Sequence, residues 1–238
     1  MHIPDGLLIP VNPVTHALNV ADTLVLVITW AVTLPCIIFA WKKTKTTYSK
    51  SLAGTLAVTS ALVFVLQMLT FPVAGGTSVH ILGGTLVALI LGPYAGMLSM
   101  TMVLGMQAFF FADGGLLTFG ANALNMAVIG SLSFFLVKLL AGKSVSPKRF
   151  AFSLFVATFA AATLTALLTG VEIGVSQAFV NSGGLSLTVP SMLSVYTVEG
   201  LVEATLTSVV ATALMASLPS LQASGVIGLR MLKGKDLR

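Results

Sequence analysis

The chain has 238 residues, of which 56% are hydrophobic and only 8% charged, with a mean hydropathy of +1.02 and a formal net charge of +5. Soluble domains carry about 25% charged residues, so this composition excludes a soluble globular protein and predicts one all-α integral membrane domain over residues 1–238. The single cysteine, Cys36, lies in an apolar run, which excludes a disulfide framework and a thiolate metal site.

The amino terminus reads Met1-His2-Ile3-Pro4-Asp5-Gly6. Its free amine, the His2 amide and the His2 imidazole can chelate a divalent metal in one plane, provided that the amide loses its proton. Tetragonal nitrogen coordination is typical of Ni(II) and Cu(II) rather than of zinc. The alternative is an ordinary flexible tail, because chain termini are usually disordered. The Pro4-Asp5-Gly6 turn could fold the tail back, and we predict an outer metal-binding segment over residues 1–18.

Seven apolar runs follow, and about 20 apolar residues suffice for a helix to cross a bilayer. A short third run leaves a six-span alternative, which would put the first basic cluster and the basic tail on opposite sides of the membrane. We therefore predict a bundle of about seven transmembrane helices within residues 19–218 and a basic tail over residues 219–238. The predicted spans are residues 19–41, 52–71, 79–92, 94–112, 122–141, 150–176 and 190–218.

The twelve basic residues set the orientation of this bundle. Under a seven-span alternation all of them lie on one side, which the positive-inside rule assigns to the cytoplasm. The amino terminus is then outside and the carboxyl terminus cytoplasmic, and the lipid bilayer, not nucleic acid, is the expected partner of the charge. These residues are Lys42, Lys43, Lys45, Lys50, Lys138, Lys143, Lys148, Arg149, Arg230, Lys233, Lys235 and Arg238.

The same alternation gathers ligand-capable groups at the outer side. His80, at the start of the third span, supplies the fourth nitrogen that the amino-terminal chelate lacks, although a capping or interfacial histidine is the alternative. Asn122 and Asn125 share one face at the start of the fifth span. With Glu199 they are candidates to surround the metal ligands, for example by accepting an imidazole N–H.

Three carboxylates lie within the spans: Glu172, Glu199 and Glu203. Glu199 and Glu203 have no basic partner at their depth, and such groups are costly in a bilayer unless paired or hydrated. They either surround the metal site, join helices by hydrogen bonds, or form the relay of an ion-coupled secondary transporter. The role of Glu172 stays open.

Several enzyme motifs are missing from the sequence. It contains no P-loop, no H-E-x-x-H and no G-x-S-x-G. We therefore predict a protein that is not an enzyme, with no catalytic residues and no resident cofactor.

Four segments resemble the CbiM/NikM family, whose members are the substrate-binding membrane subunits of energy-coupling-factor (ECF) transporters for cobalt and nickel. In chain order they are Met1-His2-Ile3-Pro4-Asp5-Gly6; Ser78-Val79-His80-Ile81-Leu82-Gly83-Gly84 with Leu91-Gly92-Pro93-Tyr94-Ala95; Asp113-Gly114-Gly115 through Gly120-Ala121-Asn122 and Asn125-Met126-Ala127; and Val198-Glu199-Gly200-Leu201.

The resemblance implies a seven-span fold whose amino terminus is inserted into the bundle. It implies that Met1, His2 and a second histidine, here His80, hold the metal, which is substrate and not cofactor. The implied partners are an ECF transmembrane coupling subunit, ATPase subunits and optionally a small accessory membrane subunit, in the cytoplasmic membrane of a prokaryote. The expected function is high-affinity capture of Ni2+, with Co2+ next, for ATP-driven import. An ion-coupled secondary transporter that uses Glu199 and Glu203 is the alternative.

Overall fold

A computed structural model describes residues 1–47, 52–69, 71–73, 77–142 and 146–217. This part of the chain is mainly helical, as predicted. Two three-residue strands, β1 Phe71–Val73 and β2 Thr77–Val79, pair antiparallel between the second and third helices. The helices are α1 Val20–Thr47, α2 Leu52–Met68, α3 Gly84–Leu91, α4 Pro93–Phe110, α5 Phe119–Ala141, α6 Pro147–Gly174 and α7 Gly184–Ser217.

Four of the described helices, α1, α5, α6 and α7, are long and apolar enough to cross a membrane. The outward face of α1 carries exposed apolar side chains such as Val27, Ile28 and Trp41. Water would disfavour such a face, whereas lipid tails accept it without cost. These helices are those of a multi-pass membrane protein.

The three largest differences between the predicted and observed boundaries have local reasons. α1 continues to Thr47, because lysines are good helix formers, so the first basic cluster lies on its last turns. α3 has only eight residues, about 12 Å of helix, because the chain before it forms a loop that ends at Gly83 with φ 79°. α7 begins at Gly184 rather than at 190, because Gly183 and Gly184 both have positive φ and reverse the chain just before the helix.

The described basic residues lie at one end of the bundle. Phe39 of α1 and Phe135 of α5 both contact Tyr94 at the start of α4, with ring centroids 5.5 and 6.3 Å apart. Arg149 of α6 donates from Nε to the Leu140 carbonyl at 2.8 Å. The end of α1, the end of α5 and the start of α6 are therefore neighbours. They carry Lys42, Lys43, Lys45, Lys138, Lys148 and Arg149. Lys50, Lys143 and the whole predicted tail, with Arg230, Lys233, Lys235 and Arg238, lie outside the described residues.

A close contact between α3 and α5 sets the position of the loop that precedes α3. A Cβ on Gly84 would lie 2.6 Å from the Gly130 Cα, so only hydrogen fits between the two backbones. Directly before Gly130, residues Ala123–Ile129 form a π-helical stretch within α5. Such stretches are frequent at functional sites, and this one faces the bundle centre.

We expect Gly84→Ala to destabilise the protein by about 1–3 kcal/mol, because the added methyl group must push two packed backbones apart. Thermal unfolding in detergent micelles measures the effect. Gly54→Ala in α2 is the matched control, since a Cβ there meets nothing within 4 Å and alanine favours helix over glycine. Equal unfolding temperatures for Gly84→Ala and the unchanged protein would contradict the close packing.

Candidate metal site

The amino terminus is buried inside the bundle, beside His80. The Met1 nitrogen lies 2.6 Å from His80 Nε2, and the two residues are only 7% and 5% exposed. His80 Nδ1 lies 3.0 Å from the Ile81 carbonyl oxygen. Because a carbonyl oxygen can only accept, Nδ1 carries the ring proton, and the Nε2 lone pair points at the Met1 amine. A ligating histidine is usually oriented in this way, by a hydrogen bond from its other ring nitrogen.

His2 stacks on the same imidazole. The ring centroids of His2 and His80 are 4.9 Å apart, and the ring planes differ by 23°. His2 Nδ1, the ring nitrogen that can close a six-membered chelate with its own amide, lies 2.9 Å from Asp113 Oδ1. The structure thus brings Met1, His2 and His80 together, although 79 positions separate the first from the last.

The segment that follows His2 is tied to the first turn of α5 and to the residues just before it. Ile3 donates its N–H to Asn122 Oδ1 at 2.8 Å, and Asn122 Nδ2 donates back to the Ile3 carbonyl at 3.0 Å. The Asp5 carboxylate accepts three consecutive N–H groups, those of residues 116–118, at 2.9–3.0 Å. The predicted candidate Asn122 therefore contacts the main chain of Ile3, and Asp5, identified from the sequence only as a turn residue, is an anchor.

Asn125, the second predicted asparagine, bonds to side chains of α6 rather than to the amino-terminal segment. Its Nδ2 donates to Glu172 Oε2 at 2.6 Å and to Thr169 Oγ1 at 3.1 Å. The Thr169 hydroxyl in turn lies 3.2 Å from the Met1 sulfur. Asn125 and Glu172 therefore support the Met1 side chain through Thr169.

The two glutamates of α7 have different surroundings. Glu203 accepts the N–H groups of Leu82 and Gly83 at 2.7 and 2.9 Å, so it fastens α7 to the loop that carries His80. Glu199 is buried one turn away, and neither of its carboxylate oxygens has a hydrogen-bond partner among the described residues.

Two glutamines, whose positions in the sequence place them near the ends of their helices on the same side as the histidines, complete the polar surroundings. Gln67 Nε2 donates to the Leu82 carbonyl at 2.6 Å, and Gln107 Nε2 donates to Gln67 Oε1 at 3.0 Å. Both side chains are fully buried. Glutamines within apolar spans are a sequence signal for a polar site, but the 40 positions that separate these two in the chain do not show that they meet.

Burial sets the protonation of the nitrogens. Desolvation lowers the pKa of the Met1 amine from 8.0 to about 5. It also lowers the pKa of His2 and brings that of His80 well below its ordinary value. The hydrogen bond from His2 lowers the pKa of Asp113. At neutral pH the three nitrogen bases are therefore uncharged, with lone pairs available, beside an ionised carboxylate.

Side chains alone do not make a metal site here. Among the described residues, no group of three or more His, Cys, Asp or Glu side chains could hold a metal ion. That Met1, His2 and His80 hold a metal through main-chain as well as side-chain nitrogens stays a prediction of the sequence.

The sequence model of a family described as the cobalt uptake substrate-specific transmembrane region, CbiM, matches residues 2–221. The chain belongs to the CbiM family. The fused nickel transport protein NikMN of Rhodobacter capsulatus is 34% identical over 94% of this chain and 64% of its own length. The cobalt transport protein CbiM of Thermosipho melanesiensis is 33% identical over 74% of this chain and 68% of its own.

Solved structures agree with the CbiM assignment. The crystal structure of a truncated transition metal transporter matches with a TM-score of 0.76 at 29% identity, over 91% of this chain and 99% of that one. The chain spans 56–64% of the length of three fused nickel transport proteins that it matches. The match therefore covers only part of those longer proteins.

Proposed function

We propose that this chain captures a divalent transition metal, Ni2+ in preference to Co2+, as the substrate-specific subunit of an ATP-driven ECF-type importer. The observation that carries the proposal is the buried 2.6 Å approach of the Met1 amine to His80 Nε2, with His2 stacked on the same ring. The substrate class is supported by relatives that are named nickel and cobalt transport proteins.

Four nitrogens bind the metal in this proposal: the Met1 amine, the His2 amide, His2 Nδ1 and His80 Nε2. The first three form two fused chelate rings, and His80 closes the plane. An all-nitrogen plane favours Ni(II) over Co(II), in line with the general order of affinities for divalent metals. The deprotonated amide and the Asp113 carboxylate together balance the two positive charges, which lowers the cost of holding the ion in a buried site.

Metal capture requires Asp113 to give up its contact with His2 Nδ1, because Nδ1 donates its N–H to the carboxylate there and must lose that proton to present a lone pair to the metal. The carboxylate stays close enough to act as counter-charge. Around this centre, Asn122 and Asp5 hold the amino-terminal segment in place, and Glu203 holds the loop of His80. These contacts supply the orientation that a planar site needs.

We include in the same proposal the number of membrane spans and the orientation of the chain termini. All of residues 1–238 form one polytopic domain with seven spans, an outer amino-terminal segment and a cytoplasmic tail over residues 219–238. The common end of the described basic residues supports a cytoplasmic position for that end. ATP is hydrolysed by separate ATPase subunits, which act through a transmembrane coupling subunit and optionally an accessory subunit, in the cytoplasmic membrane of a prokaryote.

The ion-coupled alternative has less support. A relay through Glu199 and Glu203 requires a carboxylate that is free to change partners, whereas both oxygens of Glu203 accept main-chain N–H groups. These bonds favour a role in holding the loop of His80.

The test is the metal content of protein purified with its native amino terminus. After equilibration with equal limiting amounts of Ni2+ and Co2+, we expect about one metal per chain, mostly nickel, and the diamagnetic spectrum that planar Ni(II) gives. Elemental analysis and magnetic measurements check these two properties. Protein that retains neither metal after gel filtration would contradict the proposal, and a paramagnetic nickel centre would contradict the planar site.

A further inference from the structure

The amide contacts of Gln67 and Gln107 have a direction that is fixed at one end. The Leu82 carbonyl oxygen, 2.6 Å from Gln67 Nε2, can only accept, so the Gln67 amino group must face it. Gln67 Oε1 then accepts from Gln107 Nε2 at 3.0 Å. The amino group of Gln107 is thereby used, and its Oε1 points away from Gln67 as a free acceptor.

The atom that this acceptor fits is on His2. Gln107 Oε1 and His2 Nε2 are both buried and without a hydrogen-bond partner among the described residues. The Gln107 side chain lies close enough to the His2 ring to help raise the pKa of that ring against the effect of burial. The main-chain carbonyl oxygen of Gln107 also accepts the Asp113 N–H at 3.1 Å. Gln107 therefore also helps to position Asp113, which contacts His2 Nδ1.

We infer that Gln107 is a positioning residue for metal capture, whose Oε1 accepts the Nε2–H of His2 once a metal occupies Nδ1. The inference rests on the proposed function. A neutral imidazole that gives its Nδ1 lone pair to a metal carries its one proton on Nε2, and a buried N–H without an acceptor costs about 1–3 kcal/mol. Asp113 accepts the Nδ1–H of His2 when no metal is bound, and Gln107 accepts the Nε2–H when a metal is bound.

In both histidines, an acceptor then holds the N–H of one ring nitrogen, so that the other ring nitrogen presents its lone pair to the metal. His80 presents Nε2 because its Nδ1–H is held by the Ile81 carbonyl, and His2 presents Nδ1 because its Nε2–H is held by Gln107. Gln67 acts one step further out, since it prevents the Gln107 amide from turning its amino group toward His2. An amide acceptor fixes the tautomer without adding a third negative charge to a site that two already balance.

The test compares nickel affinity, by competition with a chelator, in four variants of the full chain. Gln107→Met removes the acceptor at similar size and is expected to lower affinity about 10- to 100-fold, the usual cost of losing such a partner of a metal ligand. Gln107→Glu is expected to stay near the unchanged protein, because a protonated carboxyl can donate to Gln67 and accept from His2. Gln67→Met is expected to lose less than Gln107→Met.

Ser99→Ala is the matched control, since Ser99 is a buried polar residue of the same helix, bonded to Ser60 at 2.7 Å, and should leave affinity unchanged. The readout specific to the hydrogen bond is the His2 Nε2–H proton resonance in nickel-loaded, 15N-histidine-labelled protein. It should move upfield in Gln107→Met and hold its position in Gln107→Glu.

Tight nickel binding by Gln107→Met, an unmoved His2 resonance, or equal losses in both Gln107 variants would overturn the inference while leaving the proposed function intact. Failure of the unchanged protein to bind nickel would overturn both.

Discussion

Placing Gly-Ser before Met1 is expected to reduce nickel affinity by at least about 100-fold, more than the loss of a partner that only orients a ligand. The extension turns the Met1 nitrogen into an amide and moves the free amine away from His80 Nε2, which lies 2.6 Å from it. The terminus is buried, so the two added residues also have no room where the segment now lies. Chelator competition on purified protein, with elemental analysis, measures the loss.

The length of the extension matters. A single added residue would make His2 third from the new amine, and the amine, two amides and the imidazole would then form a different four-nitrogen chelate. Two added residues avoid this. A protein that keeps its metal after the two-residue extension would contradict a role for the Met1 amine.

His80→Ala is the companion variant, because it leaves the terminus intact and removes only the ligand that closes the plane. His16→Asn is its matched control: His16 is an exposed histidine of the amino-terminal segment, at φ 55°, a conformation that asparagine tolerates. We expect metal loss in His80→Ala and none in His16→Asn. Equal metal in both would point back to the carboxylates of α7.

Much of this arrangement could be predicted from the sequence, because its determinants are local. Long apolar runs specify helices whatever surrounds them, and the lysine clusters identify the end of the bundle to which they belong. The Met1–His2 chelate needs no fold at all, since its three nitrogens are neighbours in the chain. That His80 completes it stays a prediction, although the structure brings the two histidines into contact.

The supporting contacts could not be predicted, because each joins segments that are distant in sequence. Glu203 and Leu82 are 121 positions apart, and Asp5 and Leu116 are 111 apart. From the sequence, Glu203 is only a carboxylate without a basic partner, and its main-chain donors become visible once α7 packs on the loop of His80. The sequence predicts a start of α7 at Pro190, because proline is common in the first turn of a helix, whereas the chain turns at Gly183 and Gly184 and the helix begins there.

Nickel affinity is expected to fall about tenfold when the pH is lowered from 8 to 7. Burial has already lowered the pKa of the Met1 amine to about 5 and lowered those of both histidines. Groups with lowered pKa values stay unprotonated in this range, so they release no proton when the metal binds. The His2 amide still must lose one, and that single proton sets the slope. Below about pH 5 the amine competes as well, and the decline should steepen.

The free peptide of residues 1–6 is the matched comparison, because it has the same amine, amide and imidazole without the bundle. Its amine titrates near the ordinary value of 8.0 and its imidazole near 6.5, so binding releases at least two protons below pH 8 and affinity should fall about 100-fold per unit. Isothermal titration calorimetry in buffers of different ionisation enthalpy counts the protons directly. A protein that releases as many protons as the peptide at pH 7 would contradict a buried, neutral amine, since only an exposed terminus keeps its proton there.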